Sequence, residues 1–215
     1  MLGRFLTMAT LGVYSVAGML AQAVGQIVNR LVSTVFFGMM SQIVRDRPHE
    51  VGEQYYAARL KLDLLAMPLL GAVVVLGPSI VDILYDSRYH QAGWMLQFFC
   101  VRVGLQSVLY PCGVCLIALG KPRYQLVANA GRFIAVWSGI PIGWHLAGIE
   151  GVLWGTTISE IPMLVVFWST FRRLGLLRVS RELLAPSAAL AGAALGMLVK
   201  IALRRYLPHL HLHPH

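Results

Sequence analysis

Three arginines stand inside runs that are otherwise apolar: Arg30 in LGVYSVAGMLAQAVGQIVNRLVSTVFFGMM, Arg102 in QFFCVRVGLQSVLY and Arg132 in YQLVANAGRFIAVW. A guanidinium stays charged and donates through a planar fork, so such residues suit an oxyanion, while Gln, Asn, Ser and Tyr suit hydroxyl groups. A helical step of 100° per residue puts Ser15, Gly18, Gln22, Gly25, Gln26, Asn29 and Ser33 on one face, with Arg30 at its edge. Gln106 shares a face with Arg102, and Gln125 and Asn129 share one with Arg132. Asp63, Glu150 and Glu160 are the available counter-ions, and only Glu160 stands well inside its segment. Two readings follow. Arg30 with Gln22, Gln26 and Asn29, joined by Arg102 and Arg132, lines a cationic cavity for an anionic substrate; or the arginines pair, pack and snorkel. Glu160, beside Thr156 and Thr157, is either an ion-coupling group or the partner of an arginine.

The surroundings of these residues make the question sharp. The chain has 215 residues, of which 57% are hydrophobic and 13% charged, with a mean hydropathy of +0.67. A water-soluble domain carries about twice that charged fraction. A hydrocarbon core of ~30 Å takes about 20 apolar residues per helix, and that ruler marks spans at 10–44, 57–84, 92–118, 124–146, 149–171 and 184–203. The runs are long, continuous and not alternating, a poor fit to membrane strands. The expectation is an all-α, polytopic membrane helical bundle of about six transmembrane helices over residues 1–207, with a disordered tail at 208–215. The alternating histidines of that tail could hold a transition metal only weakly, so no metal site and no cofactor is expected.

Within such a bundle an unsatisfied polar group in hydrocarbon costs several kcal/mol, and a guanidinium near the midplane costs ~2.5–3.5 kcal/mol on the most lenient scale. Helix packing through small residues accounts for Gly18, Gly25 and Ser33. It does not account for Arg30.

Lysine and arginine also set orientation, because loops on the cytoplasmic side are enriched in them. The first loop and its flanks hold Arg45, Arg47, Arg59 and Lys61, the third Lys121 and Arg123, and the fifth Arg172, Arg173, Arg178 and Arg181. The second has Arg88 alone and the fourth none, so the odd loops face the cytoplasm of a multi-pass inner-membrane protein. Arg204 and Arg205 oppose the pattern and leave the last helix the least secure. This distribution makes up most of the net charge of +9, which points to the bilayer and its anionic lipid rather than to nucleic acid. Met1 then falls outside, where a preceding helix is expected.

The remaining motifs take structural readings. Cys100, Cys112 and Cys115 lie in an apolar run without a second ligand pair and read as small hydrophobes. Gly148, Gly151, Gly155 and Ser159 form a small-residue face for close helix packing. Pro68, Pro78, Pro111, Pro141 and Pro162 mark kinks. An integral-membrane enzyme would need clustered carboxylates or a base beside an acid. Asp82 with Asp86, and His145 with Glu150, supply neither, so no catalytic residue is expected.

Several of these stretches also carry a resemblance. LGRFLTMATLGVYSVAGMLAQ resembles the opening of the second lobe in polysaccharide and O-antigen flippases of the multidrug/oligosaccharidyl-lipid/polysaccharide exporter superfamily. IVDILYDSRYHQAGWMLQ looks like their external turn, ALGKPRYQLVANA like their Gly-Lys cytoplasmic turn, and GIPIGWHLAGIEGVLWGTTISEI like the glycine-rich region that follows. The ordered set covers residues 1–175. The resemblance implies two helical lobes around a V-shaped cavity that opens alternately to either membrane face while a lipid-linked oligosaccharide, with its anionic phosphate headgroup, is turned over. The chain would be most of the second lobe, lacking the N-terminal lobe as its partner, with a proton or sodium ion as coupling ion. The first helix would run inward from outside, in agreement with the charge count. One departure stands out: the family places a proline in the inner half of this helix, where this chain reads VFFGMMSQI. A small-molecule or cation exporter of the same superfamily is the alternative function, and a glycan- or lipid-modifying membrane enzyme the next.

Overall fold

The computed structural model describes residues 8–206, all of them in helices and short connections, with no strand among the described residues. The order is α1 (Met8–Leu31), a π-helical turn (Val32–Phe36), α2 (Phe37–Asp46), α3 (Val51–Leu84), α4 (Ala92–Ala118), α5 (Pro122–Ile158), α6 (Ile161–Arg173), a short α7 (Val179–Glu182) and α8 (Leu184–Tyr206). Five stretches among the described residues are long and apolar enough to cross a membrane: Thr10–Asp46, Pro48–Leu84, Ala92–Ala118, Pro122–Arg173 and Val179–Ala202. The protein is therefore a polytopic helical membrane bundle, as its composition requires. Large apolar side chains such as Leu64, Leu126, Phe133, Trp137, Leu190 and Leu198 face outward, an arrangement that water penalises and lipid favours.

The stretch Pro122–Arg173, at 52 residues, is too long for one crossing. Ala147 (φ −145°, ψ 24°) and Gly148 (φ 58°, ψ −131°) break it. The left-handed φ of Gly148 is one that a side chain would resist. Gly143 then meets the backbone of Gly151, and Gly139 that of Gly155, so the two arms double back on each other. The small-residue face expected at Gly151 and Gly155 is this contact, and the two spans 124–146 and 149–171 are its arms. The second arm breaks again between α5 and α6.

α4 is the central helix. It is buried on almost every side and packs on α1, α3, α5 and α6, which is why its apolar residues show no single stripe. Two cores flank it. One joins Val32, Phe36 and Met40 to Tyr55, Leu109, Leu116, Phe167 and Phe171. The other joins Val13, Ala17 and Ala21 to Leu70, Met95, Leu96, Phe99 and Val103.

Between helices in lipid the driving force is close contact rather than expulsion of water. α3 and α8 show this best. A Cβ on Gly71 would strike the backbone of Ala189 and Ala193, one on Gly192 the backbone of Pro68, and one on Gly196 the backbone of Ala72. The last helix is thus closely docked, against the insecurity its flanking arginines implied. α3 begins at Val51, six residues before the expected 57, because Pro48 starts a helical turn directly after Arg47. The tail at 208–215 lies outside the described residues.

Replacing Gly192 by Leu should force α8 off Pro68 and destabilise the protein by about 1–3 kcal/mol or more. Thermal unfolding of the purified protein checks this, with the exposed Leu190→Ala as a variant that should leave the transition where it is.

Candidate functional site

Glu160 stands at the break between α5 and α6, midway along the second arm of the hairpin. Ser159 and Glu160 close the end of α5 through backbone bonds to Gly155 and Thr157, and the Glu160 carbonyl accepts the first bond of α6, from Leu164. Pro162 occupies the first turn of α6, where its missing N–H is harmless. The break therefore presents the Glu160 side chain sideways, towards α4 and the first arm of α5, at the positive end of α6.

Three donors converge on one oxygen of that carboxylate. Arg102 donates from Nε to Glu160 Oε1 at 3.2 Å, and Gln106 from Nε2 at 2.8 Å. Arg132 reaches the same atom with Nη2 at 3.0 Å. The carboxylate is sealed, its side chain 1% exposed, while the side chains of Arg102 and Arg132 are 23% and 29% exposed. Two guanidiniums on one carboxylate leave one positive charge in excess, on side chains that are partly exposed. Glu160 Oε2 has no hydrogen-bond partner. Thr156 and Thr157 do not supply one, because both hydroxyls donate to the carbonyl of Leu153 within their own helix.

Arg102, Arg132 and Glu160 are thus brought together from three helices. Gln106, one turn beyond Arg102, belongs with them; the i, i+4 spacing was its visible signal. Gln125 donates to Asn129 at 3.3 Å on the α5 face that carries Arg132.

The polar stripe of α1 divides differently. Gly18 and Gly25 turn inward, where a Cβ at Gly18 would meet Phe99 at 3.7 Å and one at Gly25 would meet Val103 at 3.1 Å. Ser15, Gln22, Gln26, Asn29, Arg30 and Ser33 are exposed. The face expected to be one stripe is therefore two neighbouring ones, a small-residue seam against α4 and an open polar strip. Arg30 takes no part in the Glu160 cluster.

A second buried cluster corrects the sequence reading of Arg59. Counted with the loop charges, it lies instead deep in α3, 2% exposed. Its Nη1 donates to Glu182 Oε1 at 2.6 Å and to the Tyr55 hydroxyl at 3.2 Å, and Nε lies 3.3 Å from Asp63 Oδ2. Tyr56 adds a bond to Glu182 Oε1 at 3.0 Å, and its hydroxyl accepts the backbone N–H of Arg178. Asp63 is buried as fully as Arg59, so Glu160 is not the sole interior carboxylate. Glu182 comes from α7, more than a hundred residues away in the chain, and nothing local in the sequence marks it as a partner. The cysteines are buried, Cys112 with its sulfur 2.9 Å from the Tyr55 hydroxyl.

A polytopic helical bundle with paired charges in its interior defines an integral membrane protein. The profile of a family described as polysaccharide biosynthesis protein matches residues 1–93, from the start of the chain through α3 to the first residues of α4. The match supports the resemblance to polysaccharide and O-antigen flippases and a role in polysaccharide biosynthesis. No curated protein and no solved structure matches the chain.

Glu160→Gln leaves two guanidiniums facing each other without their shared counter-charge. Breaking a fully buried pair costs about 3–5 kcal/mol; solvent reaching both arginines reduces this to about 1–3 kcal/mol. A double-mutant cycle by thermal unfolding should show Arg132→Gln recovering part of the loss in the Glu160→Gln background, and strict additivity would mean that the pair is not coupled.

Proposed function

We propose that the protein is a flippase that moves a lipid-linked oligosaccharide or polysaccharide precursor across the cytoplasmic membrane, its chain forming the second helical lobe beside a partner lobe. The observation that carries this reading is the Arg102–Glu160–Arg132 cluster. A lipid-linked sugar brings a phosphate that hydrocarbon excludes. Two partly exposed arginines offer that phosphate a charge-assisted fork. Alone they would repel each other; Glu160 holds them together with one positive charge to spare. The open strip of Gln22, Gln26, Asn29 and Arg30 supplies donors and acceptors for glycan hydroxyls and a further cation for the headgroup. A cation exporter would need the opposite balance, with carboxylates in excess at the open face.

The loop arginines orient the lobe with its odd connections inside. Single cysteines at Pro48, Lys121 and Gly175 in a cysteine-free background should be protected from an impermeant thiol reagent in intact cells, and ones at Tyr89 and Ala147 should label. The reverse pattern would invert the lobe and remove its cytoplasmic entry.

In cells that depend on this protein for surface polysaccharide, Arg102→Ala and Arg132→Ala should each lower glycan export about tenfold or more, since a hydrogen bond to a charged group is worth about 1.5–3 kcal/mol. Arg30→Ala removes an exposed charge, so it should abolish turnover while leaving membrane insertion intact; Arg30→Lys should keep part of the activity, and Leu20→Ala all of it. Normal export by well-accumulated alanine variants at all three arginines would refute the cationic-cavity reading.

A further inference from the structure

The two buried charge clusters have opposite imbalances. At Glu160, two guanidiniums meet one carboxylate. At Arg59, one guanidinium meets two carboxylates, Asp63 and Glu182, and all three side chains are at least nine-tenths buried. A net negative charge on side chains so deeply buried is unfavourable unless a positive charge joins it.

The geometry shows which carboxylate is free to take that charge. Glu182 Oε1 receives the 2.6 Å bond from Arg59 and another from the Tyr56 hydroxyl. Asp63 receives only the 3.3 Å approach of Arg59 Nε, which is within ion-pair range but too poorly aligned to count as a hydrogen bond. Arg59 Nη2 and Glu182 Oε2 are also buried without hydrogen-bond partners, so the guanidinium is not fully committed to either acid. Beside Asp63 opens a cavity of about 370 Å³, lined by Glu53, Tyr56, Arg59, Asp63, Arg181 and Leu184. It has room for several waters, and Glu53, which is exposed, leads it to the surface.

We propose that Asp63 is an exchangeable proton site, built into the Arg59–Glu182 clamp that ties α3 to α7. A proton fits where a metal cation does not. The guanidinium stands between the two carboxylates and would repel an ion seeking both, whereas a proton needs one oxygen and no coordination shell. Glu53, Tyr56 and Arg59 on α3 and Arg181 on α7 share the cavity with Asp63, to which α8 contributes Leu184; Glu182 on α7 and Cys112 on α4 are the further titratable groups that act on it. With Asp63 protonated the two remaining charges balance and Arg59 serves Glu182 alone. With Asp63 ionised the guanidinium is shared, and the hold on α7, and through it on α8, is weaker.

This goes beyond the transport reading and does not depend on it, because proton occupancy is read without any substrate. The protein in lipid is examined by infrared difference spectroscopy between mildly acidic and mildly alkaline pH. A C=O band of a protonated carboxylic acid should appear on the acidic side in the wild type, persist in Glu160→Gln and vanish in Asp63→Asn. Asp63→Glu should shift its frequency rather than remove it, which separates loss of the site from loss of the fold. Glu182→Gln, by leaving Arg59 with Asp63 alone, should move its midpoint to more acidic pH. A band unchanged in both Asp63 variants would overturn the assignment, and so would a band that responds to sodium at fixed pH instead of to protons.

Discussion

A guanidinium inside a membrane has to bring its own solvation, and much of this bundle is arranged around meeting that requirement. Arg102 and Arg132 meet it through Glu160, which ties α4 and the first arm of α5 to the start of α6. Arg59 meets it through Glu182 and Asp63, which ties α3 to α7 and, by chain continuity, to α8. In lipid there is little apolar gain in bringing helices together, so these links specify which helices meet. Removing one partner from such a link leaves the other charge stranded, which is why their loss costs more than their presence gains.

The close seams work beside the charges. Glycines at Gly71, Gly192 and Gly196, and at Gly139, Gly143, Gly151 and Gly155, bring backbones into contact where side chains would hold them apart. The hairpin seam sets the two arms back to back, and with them Arg132 on the first arm and Glu160 at the break midway along the second. A polar contact at 3.0 Å is thus positioned by a neighbouring contact that contains no polar side chain at all.

Much of this was legible in the sequence because membrane chemistry leaves few options. Long apolar runs are helices, and an interior glutamate among interior arginines is a partner before it is anything else. What stayed hidden has physical reasons. Gly18, Gln22 and Gly25 sit at neighbouring angles on α1, so periodicity alone could not separate a packing seam from an open strip. Arg59 carries the same label as a loop arginine because it follows the basic loop closely in the sequence; only the distant Glu182 distinguishes it. The break that turns Glu160 towards α4 leaves one local trace, Pro162, which is compatible with a kink as well as with a fresh helix.

The π-helical turn at Val32–Phe36 has a bearing on the reach of the first helix. Residues four apart on an α-helix advance by about 40° per step, so the seam of Val13, Ala17, Ala21 and Gly25 winds steadily away from a straight neighbour. One extra residue in a single turn sets the phase back by roughly 100°. Phe36 and Met40 are thereby returned to the side of α4 and enter the core there. The turn also loosens the regular bonding just after Arg30, whose carbonyl accepts the Ser33 hydroxyl at 3.2 Å. A helix of this length keeps one partner from end to end because its winding is corrected once along the way, and the correction falls beside Arg30.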